Sequence, residues 1–530
     1  MPHRQFPLVD PDADLWIGLE VRFEIQLEVM TRHLEGARMP GVRRALITAS
    51  TTAMLASLAC AAPRGFVCPA HGGPTWREVS SEHVVLRTDL DSDSARSVVR
   101  EIEYTRALLL SAMFGRSSID TVERIEVVAF ATRAELAEFT DTRHDAFFYR
   151  DAFGRQGIVL AGGIEDEQGM TIAHEMAHML SAHFVVRQPR WFAEGVAQYF
   201  QTLGKPSFGR ARSAGAPPGD GYSERLRRAP VDVRDVLLWV SAEDEEELYA
   251  ASWLLVHFLM SRQPDQFEAF QRRLVRASDP GDAWNDTFPE WSIRREGATK
   301  ALDRALRGYL DDGRATARLQ VAGSVEGVLK VRTDERALAP AQVHTLRLEL
   351  PRAWPDHALR AEVEEALRED SAHVGALARA ATRDPSAAPA LARRAVAAHP
   401  EDPRAWTFLA HSLAPGEREM ALRRSVELAP DRAEYIADLA AELDTSKRYA
   451  EAVTMSRRAI QLAPWSPVSL TVHARALAHL GRCQEASATM KRAAEVFREG
   501  ISPGAIAALS DWAASLEGEC HSREERSPAP

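Results

Sequence analysis

The sequence of 530 residues predicts an α+β domain followed by an all-α array of helical repeats. From Trp76 onward, short β-branched segments alternate with segments of helical periodicity, which is typical of helices arranged beside a small sheet. From about Leu338 the composition shifts to Ala, Arg, Glu and Leu, and proline recurs at Pro400, Pro430 and Pro464. Such regular spacing indicates a repeat.

The N-terminal region has the pattern of a targeting segment. Two arginines precede residues 45–59, an uncharged run that ends in small residues. We predict that residues 39–62 are a signal peptide, with Cys60 as the alternative site of a lipid anchor, and that residues 1–38 over-extend the reading frame. An extracytoplasmic location follows, whether periplasmic, secreted or lipid-anchored. The competing interpretation is a buried Ala/Thr-rich helix in a cytoplasmic protein.

Composition and charge exclude some classes of protein. The chain is 45% hydrophobic and carries a net charge of -11, which is ordinary for a globular protein and argues against nucleic acid as a partner. No stretch of the sequence reaches the roughly 18 apolar residues of a membrane-spanning helix. Four cysteines are spaced unlike metal ligands, and a Cys483–Cys520 disulfide and free thiols remain equal alternatives.

The α+β domain begins after a linker rich in proline and glycine, residues 63–75. Periodicity predicts strands at residues 83–88, 124–131, 146–149 and 157–161, and helices at residues 94–114 and 133–139. A nearly uncharged helix follows Asp166. Residues 205–232, rich in Gly, Pro, Ser and Arg, are predicted to be a long loop.

The helix after Asp166 contains the motif His174-Glu175-Met176-Ala177-His178. Residues i and i+4 lie on one helical face, so His174 and His178 can both point to one zinc ion. Glu175 lies beside the first histidine, where a carboxylate can take a proton from activated water. Histidines and a glutamate are unusual among so many apolar residues unless they bind a metal or each other.

A third metal ligand is predicted on the next helix. Pro189 suits the first turn of a helix, and Glu194 is the single acid in the apolar run that follows. Gly195 has no Cβ, so this helix can approach a neighbour closely. The competing interpretation is a lone Glu on an exposed surface helix.

The two motifs together resemble the gluzincin metallopeptidases, and most of all the bacterial peptidase MA-like (DUF1570-type) group. In that group HExxH is followed by Pro-Arg-Trp-hydrophobic-Ala-Glu-Gly-hydrophobic-Ala-x-Tyr, and residues 189–199 match it. The resemblance implies a zincin-like metallopeptidase domain with His174, His178 and Glu194 as zinc ligands and Glu175 as general base. Position 198 is Gln where some relatives carry an acid, so support for a ligand histidine is expected from elsewhere.

The resemblance has two further implications for substrate binding. The strand before the motif helix, residues 158–161, would be the sheet edge that pairs with an extended peptide. Tyr249, on an apolar helix after the loop, would donate a hydrogen bond to the oxyanion. For Tyr249, the competing interpretation is a core tyrosine with a satisfied hydroxyl.

The repeat region has the small and large positions of tetratricopeptide repeats (TPRs). Residues 433–464 are the clearest copy, with small residues at Ala440, Ala452 and Ala459, and the copies before Pro430 are short and degenerate. Such an array presents a concave face to peptides or partner proteins. An irregular helical bundle is the alternative. The predicted division is therefore a metallopeptidase domain at residues 76–320, a linker at 321–337, TPR-like repeats at 338–498, and a C-terminal helix and tail at 499–530.

Three functions are compatible with these motifs. The leading one is a zinc-dependent metallopeptidase that hydrolyses peptide bonds, with an array that binds a partner or the protein substrate. The second is a non-enzymatic TPR scaffold whose zinc site is structural or vestigial, although such a site has no use for Glu175. The third is a zinc hydrolase of non-peptide bonds.

Overall fold

The computed structural model describes residues 66–497 except for short segments, namely residues 115–123, 141–145, 151–155, 186, 205–211, 218–220, 229–231, 240–244, 277–278, 314, 316–318, 322–330, 351–354 and 465. The predicted over-extension at residues 1–38, the predicted signal segment at 39–62 with Cys60, and the C-terminal segment 499–530 with Cys520 lie outside the described residues.

The described part of the chain forms one six-stranded sheet and one two-stranded sheet. The strands are β1 (Arg77–Ser80), β2 (Val84–Thr88), β3 (Ile125–Phe130), β4 (Ala146–Arg150), β5 (Gln156–Ala161), β6 (Arg212–Ala214), β7 (Leu319–Val321) and β8 (Asp334–Ala337). The larger sheet has the order β4-β5-β3-β2-β1-β8, with β2, β3 and β5 parallel and the other neighbours antiparallel. β6 pairs with β7.

Helices cover both faces of the larger sheet. Those of the first part are α1 (Ser92–Phe114), α2 (Arg133–Leu136), α3 (Asp166–Phe184), α4 (Arg190–Phe200), α5 (Tyr222–Arg228), α6 (Val233–Leu237), α7 (Glu245–Arg262), α8 (Pro264–Val275), α9 (Pro280–Thr287) and α10 (Thr299–Asp311). Short 3₁₀ turns lie at Pro69–His71, Gln201–Gly204 and Pro289–Trp291.

In the described residues, the second part has ten helices that pack in five consecutive pairs, with a 3₁₀ turn at Pro385–Ala387. They are α11 (Pro340–Glu349), α12 (Asp356–Glu369), α13 (Val374–Arg383), α14 (Ala388–Ala398), α15 (Pro403–His411), α16 (Glu419–Leu428), α17 (Ala433–Thr445), α18 (Tyr449–Leu462), α19 (Pro467–His479) and α20 (Cys483–Phe497).

The array follows the predicted repeat. The recurring prolines Pro400, Pro430 and Pro464 each lie two residues after the second helix of a pair. Within the α17–α18 pair, Ala440, Ala452 and Ala459 are fully buried, because small side chains at these points let the two helices approach closely. The second part is therefore an all-α array of helical pairs. Cys483 of α20 takes part in a disulfide.

Side-chain alternation in the sheet decides which helices pack where. Along β3, Val127 and Ala129 share a buried cluster with α1 and α3, whereas Val128 and Phe130 share another with α11. The helix that carries the histidine motif thus lies on one face of the sheet. The first helix of the array lies on the other face.

The prediction that residues 158–161 form the edge of the sheet is wrong. Residues 158–161 belong to β5, which lies between β4 and β3, and the edge next to it is β4. β4 precedes β5 in the chain and pairs with it antiparallel, with Ala146 opposite Leu160. The outer hydrogen-bonding edge is therefore that of β4. Periodicity locates a strand but does not order it within a sheet.

Two segments predicted to lack regular structure contain elements of it. Residues 205–232 include β6 and α5, and α5 is anchored by buried Leu226 and by Arg227, which donates to the Leu310 carbonyl at 3.0 Å. The predicted linker at residues 321–337 includes β8, which extends the main sheet beside β1. The side chains of β8 are all exposed, so the strand carries no hydrophobic pattern that would reveal it.

The middle of the predicted linker, residues 63–75, packs against the first helix of the array. Cys68 is a buried free thiol 3.1 Å from Nε2 of His344 on α11.

Among the described residues no helix combines the length and apolarity needed to cross a bilayer.

Candidate metal centre

The first two residues of the site come from α3. This helix begins with a capping box in which Glu165 and Gln168 satisfy each other's backbone N–H groups. Its apolar side chains, including Ile172, Met176 and Met179, are buried. His174 and His178 lie one turn apart and are only half-buried, so both imidazoles reach the open side of the helix.

The third residue comes from α4, which packs tightly against α7. A Cβ on Gly195 would lie 2.5 Å from the Ser252 carbonyl oxygen, so no larger residue fits without movement. This confirms the prediction that Gly195 permits a close helix contact. The close contact holds the preceding residue, Glu194, in a buried position with 5% of its surface exposed.

The structure brings His174, His178 and Glu194 together. Nε2 of His178 lies 3.2 Å from Nε2 of His174, and Oε2 of Glu194 lies 3.5 Å from each of these nitrogens. The three atoms form a nearly equilateral triangle. Among the described residues this is the single group of three or more His, Cys, Asp or Glu side chains close enough to share a metal ion.

The size of the triangle fits zinc. Zinc bonds to nitrogen and oxygen of about 2.0–2.2 Å at tetrahedral angles place neighbouring ligand atoms about 3.3–3.6 Å apart. The Glu194 oxygen has no hydrogen bond, although it is buried. A buried carboxylate oxygen in that position is costly unless it meets a cation. The residues present therefore suit a metal with mixed nitrogen and oxygen ligands.

The electrostatics of Glu194 agree with a ligand that stays ionised. Burial by itself would raise the pKa of the Glu194 carboxyl, but His178 and His174 outweigh burial and hold that pKa well below its ordinary value. The carboxylate is charged at neutral pH and is available to a metal.

Gln201 orients the first histidine. It follows α4 in the 3₁₀ turn, and its Oε1 accepts a hydrogen bond from Nδ1 of His174 at 3.1 Å. With the proton held on Nδ1, the lone pair of His174 lies on Nε2, which is the atom that forms one corner of the triangle. The sequence suggested that support for a ligand histidine would come from a position other than 198, and Gln201 is that position.

Replacing Gln201 with leucine should weaken zinc binding about 10- to 100-fold, because His174 loses the acceptor that fixes its tautomer and orientation. Zinc affinity measured with a competing chelator tests this. Gln198→Leu is the matched control, because Gln198 contacts Tyr222 rather than a histidine. An equal loss of affinity in both variants would contradict a specific role for Gln201.

A cavity of about 410 Å³ opens beside His174. Its walls come from α3, from α4 with its following turn, and from α5 and α7, through His174, Gln198, Gln201, Tyr222, Arg225, Glu246 and Tyr249. Arg225 and Glu246 form an ion pair on the wall. The cavity combines apolar surface with charged and polar groups, and it adjoins the triangle through His174.

Two tyrosines face this cavity. Tyr249, predicted from the resemblance, is half-buried with its ring edge-on to Trp239. Tyr222 donates to Gln198 at 3.4 Å, and burial, reinforced by Glu246 and Glu194, raises the pKa of its phenol. The Tyr222 hydroxyl therefore remains a protonated donor. Nothing in the sequence marks Tyr222 as a cavity residue, because it lies in the segment predicted to be a loop.

Glu175 is half-buried on α3 directly after His174. It belongs neither to the triangle nor to the cavity wall. This leaves its carboxylate outside the ligand set, as the motif requires of a general base.

Comparisons with known proteins do not identify a family. No family model matches the chain, and no curated protein matches it. Among solved structures, the chain is similar to YrrB, described as a TPR protein with an unusual peptide-binding site, at 18% identity and a TM-score of 0.24, over 30% of this chain and 84% of YrrB. It is also similar to yeast Tom70, at 14% identity and a TM-score of 0.28, over 67% of this chain and 72% of Tom70. Both TM-scores are low, so the chemistry of this site stands on its own residues.

Proposed function

We propose that this chain is a zinc-dependent metallopeptidase that acts outside the cytoplasm. The triangle of His174, His178 and Glu194 supports this proposal most strongly, since its dimensions and its buried carboxylate suit zinc. Zinc held there would supply Lewis-acid chemistry, which polarises a carbonyl group and lowers the pKa of water. The export of the protein rests on the sequence of residues 39–62 alone.

The chain's own groups have separate tasks in the proposed reaction. Glu175 takes a proton from water as the oxygen attacks the peptide carbonyl carbon, and it passes that proton to the leaving amine nitrogen. Gln201 keeps His174 oriented. Tyr222 and Tyr249 face the cavity with hydroxyl groups that can donate to the oxygen on which charge develops.

A second candidate function is a non-enzymatic scaffold with a structural or vestigial zinc site. The observation in its favour is the array of five helical pairs, which covers residues 340–497 and resembles surfaces that bind peptides or proteins. In the peptidase proposal, the same array binds a partner or the protein substrate.

An assay of the purified full chain separates these functions. We expect it to hold about one zinc ion per chain and to cleave members of a mixed peptide library. A chelator should abolish cleavage, and added zinc should restore it. Cleavage that persists after zinc is removed would contradict the metal mechanism. A zinc-loaded chain that cleaves no peptide, under conditions in which the array binds protein, would favour the scaffold.

A further inference from the structure

A chain of alternating charges crosses the face of the main sheet on which α11 packs and ends at the start of α17. Arg336 of β8 contacts Glu78 of β1 at 2.8 Å, and Arg87 of β2 contacts the second oxygen of Glu78 at 2.9 Å. Arg87 also contacts Glu126 of β3 at 2.6 Å. The other oxygen of Glu126 accepts from Arg432, directly before α17, at 3.0 Å. One network thus joins four strands of the sheet to the start of α17.

The central members of this network are shielded from solvent. Glu78 and Glu126 expose 16% and 14% of their side chains, and Arg87 and Arg432 expose 26% and 24%. Burial would lower the pKa of Arg87, but Glu126, Glu78 and Glu349 more than offset it, so the pKa of Arg87 is raised. A partly buried network with shared carboxylates contributes more than an isolated surface pair and is screened less by salt.

Apolar contacts lie next to the last ion pair. Ala433, Ile436 and Ala437, at the start of α17, are buried in the same cluster as the helices of the metal site. Arg432 precedes these residues and lies at the edge of that contact. Besides the contact of α11 with the sheet, the start of α17 is therefore attached to the first part of the chain by a small apolar patch with an ionic contact beside it.

We propose that Arg336, Glu78, Arg87, Glu126 and Arg432 form an ionic clasp that fixes the helical array on the sheet. Glu126 is its central member, because it holds Arg87 with one oxygen and Arg432 with the other. Opening the clasp frees the start of α17 from the sheet while each part keeps its own core. The clasp does not depend on the proposed peptidase activity.

Hydrogen exchange of the full chain, followed by mass spectrometry, tests the clasp. In Glu126→Gln, the amides of residues 433–445 should exchange about five- to tenfold faster than in the wild type. In about 1 M NaCl the exchange of these amides in the wild type should move only part of the way toward that of the variant, because shielded charges are screened less by salt. The matched control is Glu268→Gln, which removes an exposed ion pair with Arg272 and should leave residues 433–445 unchanged.

A double-mutant cycle adds an independent criterion. Glu126→Gln and Arg432→Gln should together accelerate exchange by clearly less than the product of their separate effects, because they remove the same contact. The clasp is overturned if exchange of residues 433–445 is unaltered in Glu126→Gln, or if the two effects simply multiply. Unaltered exchange of these residues in Arg432→Gln, which removes the partner on the array side, would also overturn it.

Discussion

Replacing Glu194 with alanine should reduce the zinc content of the purified protein from about one ion per chain to nearly none. Glu194 supplies the single carboxylate oxygen of the triangle, 3.5 Å from Nε2 of both His174 and His178. Two histidines alone leave zinc without the third protein ligand that catalytic sites use. Removing the carboxylate also removes the negative charge that offsets the metal's charge in a buried place. Metal analysis of the purified variant measures the loss.

A control in the same cavity separates loss of a ligand from general damage. Glu246 lies on the cavity wall and pairs with Arg225, outside the triangle, so Glu246→Ala should keep its zinc. Circular dichroism should show both variants folded, because the cores around α3 and α7 are apolar and remain intact. Full zinc retention in Glu194→Ala would remove Glu194 from the ligand set. An equal loss of zinc in Glu246→Ala would mean that the loss in Glu194→Ala does not identify Glu194 as a ligand.

Local periodicity was sufficient to find the three triangle residues. The i, i+4 spacing fixes the relation of His174 and His178 within one helix, whatever the rest of the chain does. Glu194 stood out because it is an acid in an apolar helix, and Gly195 beside it indicated a close helix contact. These inferences depend on neighbours in sequence, and the structure places the residues as expected.

Other parts of the site depend on contacts that local sequence does not encode. Gln201 meets His174 because the turn after α4 folds back over α3, where Gly169 and Gly204 approach within a distance that admits no Cβ. Tyr222 reaches the cavity on a short helix within a polar, glycine-rich segment. The order of β4 and β5 and the pairing of β8 with β1 are set by long-range packing. Periodicity carries no information about such contacts.

The position of the first helix of the array is another feature that the local sequence does not reveal. The composition changes near residue 338, yet α11 packs on the main sheet through Val343 and Leu346, with Leu350 directly after it. A compositional boundary marks where the repeat begins, but the core of the first part includes the first repeat helix. Partner binding to the array would therefore act on a surface that is continuous with the sheet.

Changing Glu175 to glutamine should leave zinc bound and slow peptide hydrolysis by about 10²–10⁴-fold. Glu175 lies outside the triangle, so the three ligand atoms keep their positions in this variant. Glutamine has nearly the same shape as glutamate but cannot accept the proton that water releases as it attacks the carbonyl carbon. The decrease should therefore affect kcat, with little change in KM, since the amide occupies the same space.

Zinc content and hydrolysis must be measured on the same preparations, with partner proteins captured by residues 338–498 included among the substrates. Gln198→Leu, which alters the cavity wall but neither the base nor a ligand, shows how far a change in the cavity alone affects the rate. If the wild type and Glu175→Gln cleave equally fast, the proposed role of Glu175 is wrong. If neither cleaves any substrate while both hold zinc, the metal site has no hydrolytic role and the scaffold function gains support. A large loss of rate with full zinc retention, together with a small effect in Gln198→Leu, would support a role of Glu175 on the reacting groups and not on the metal.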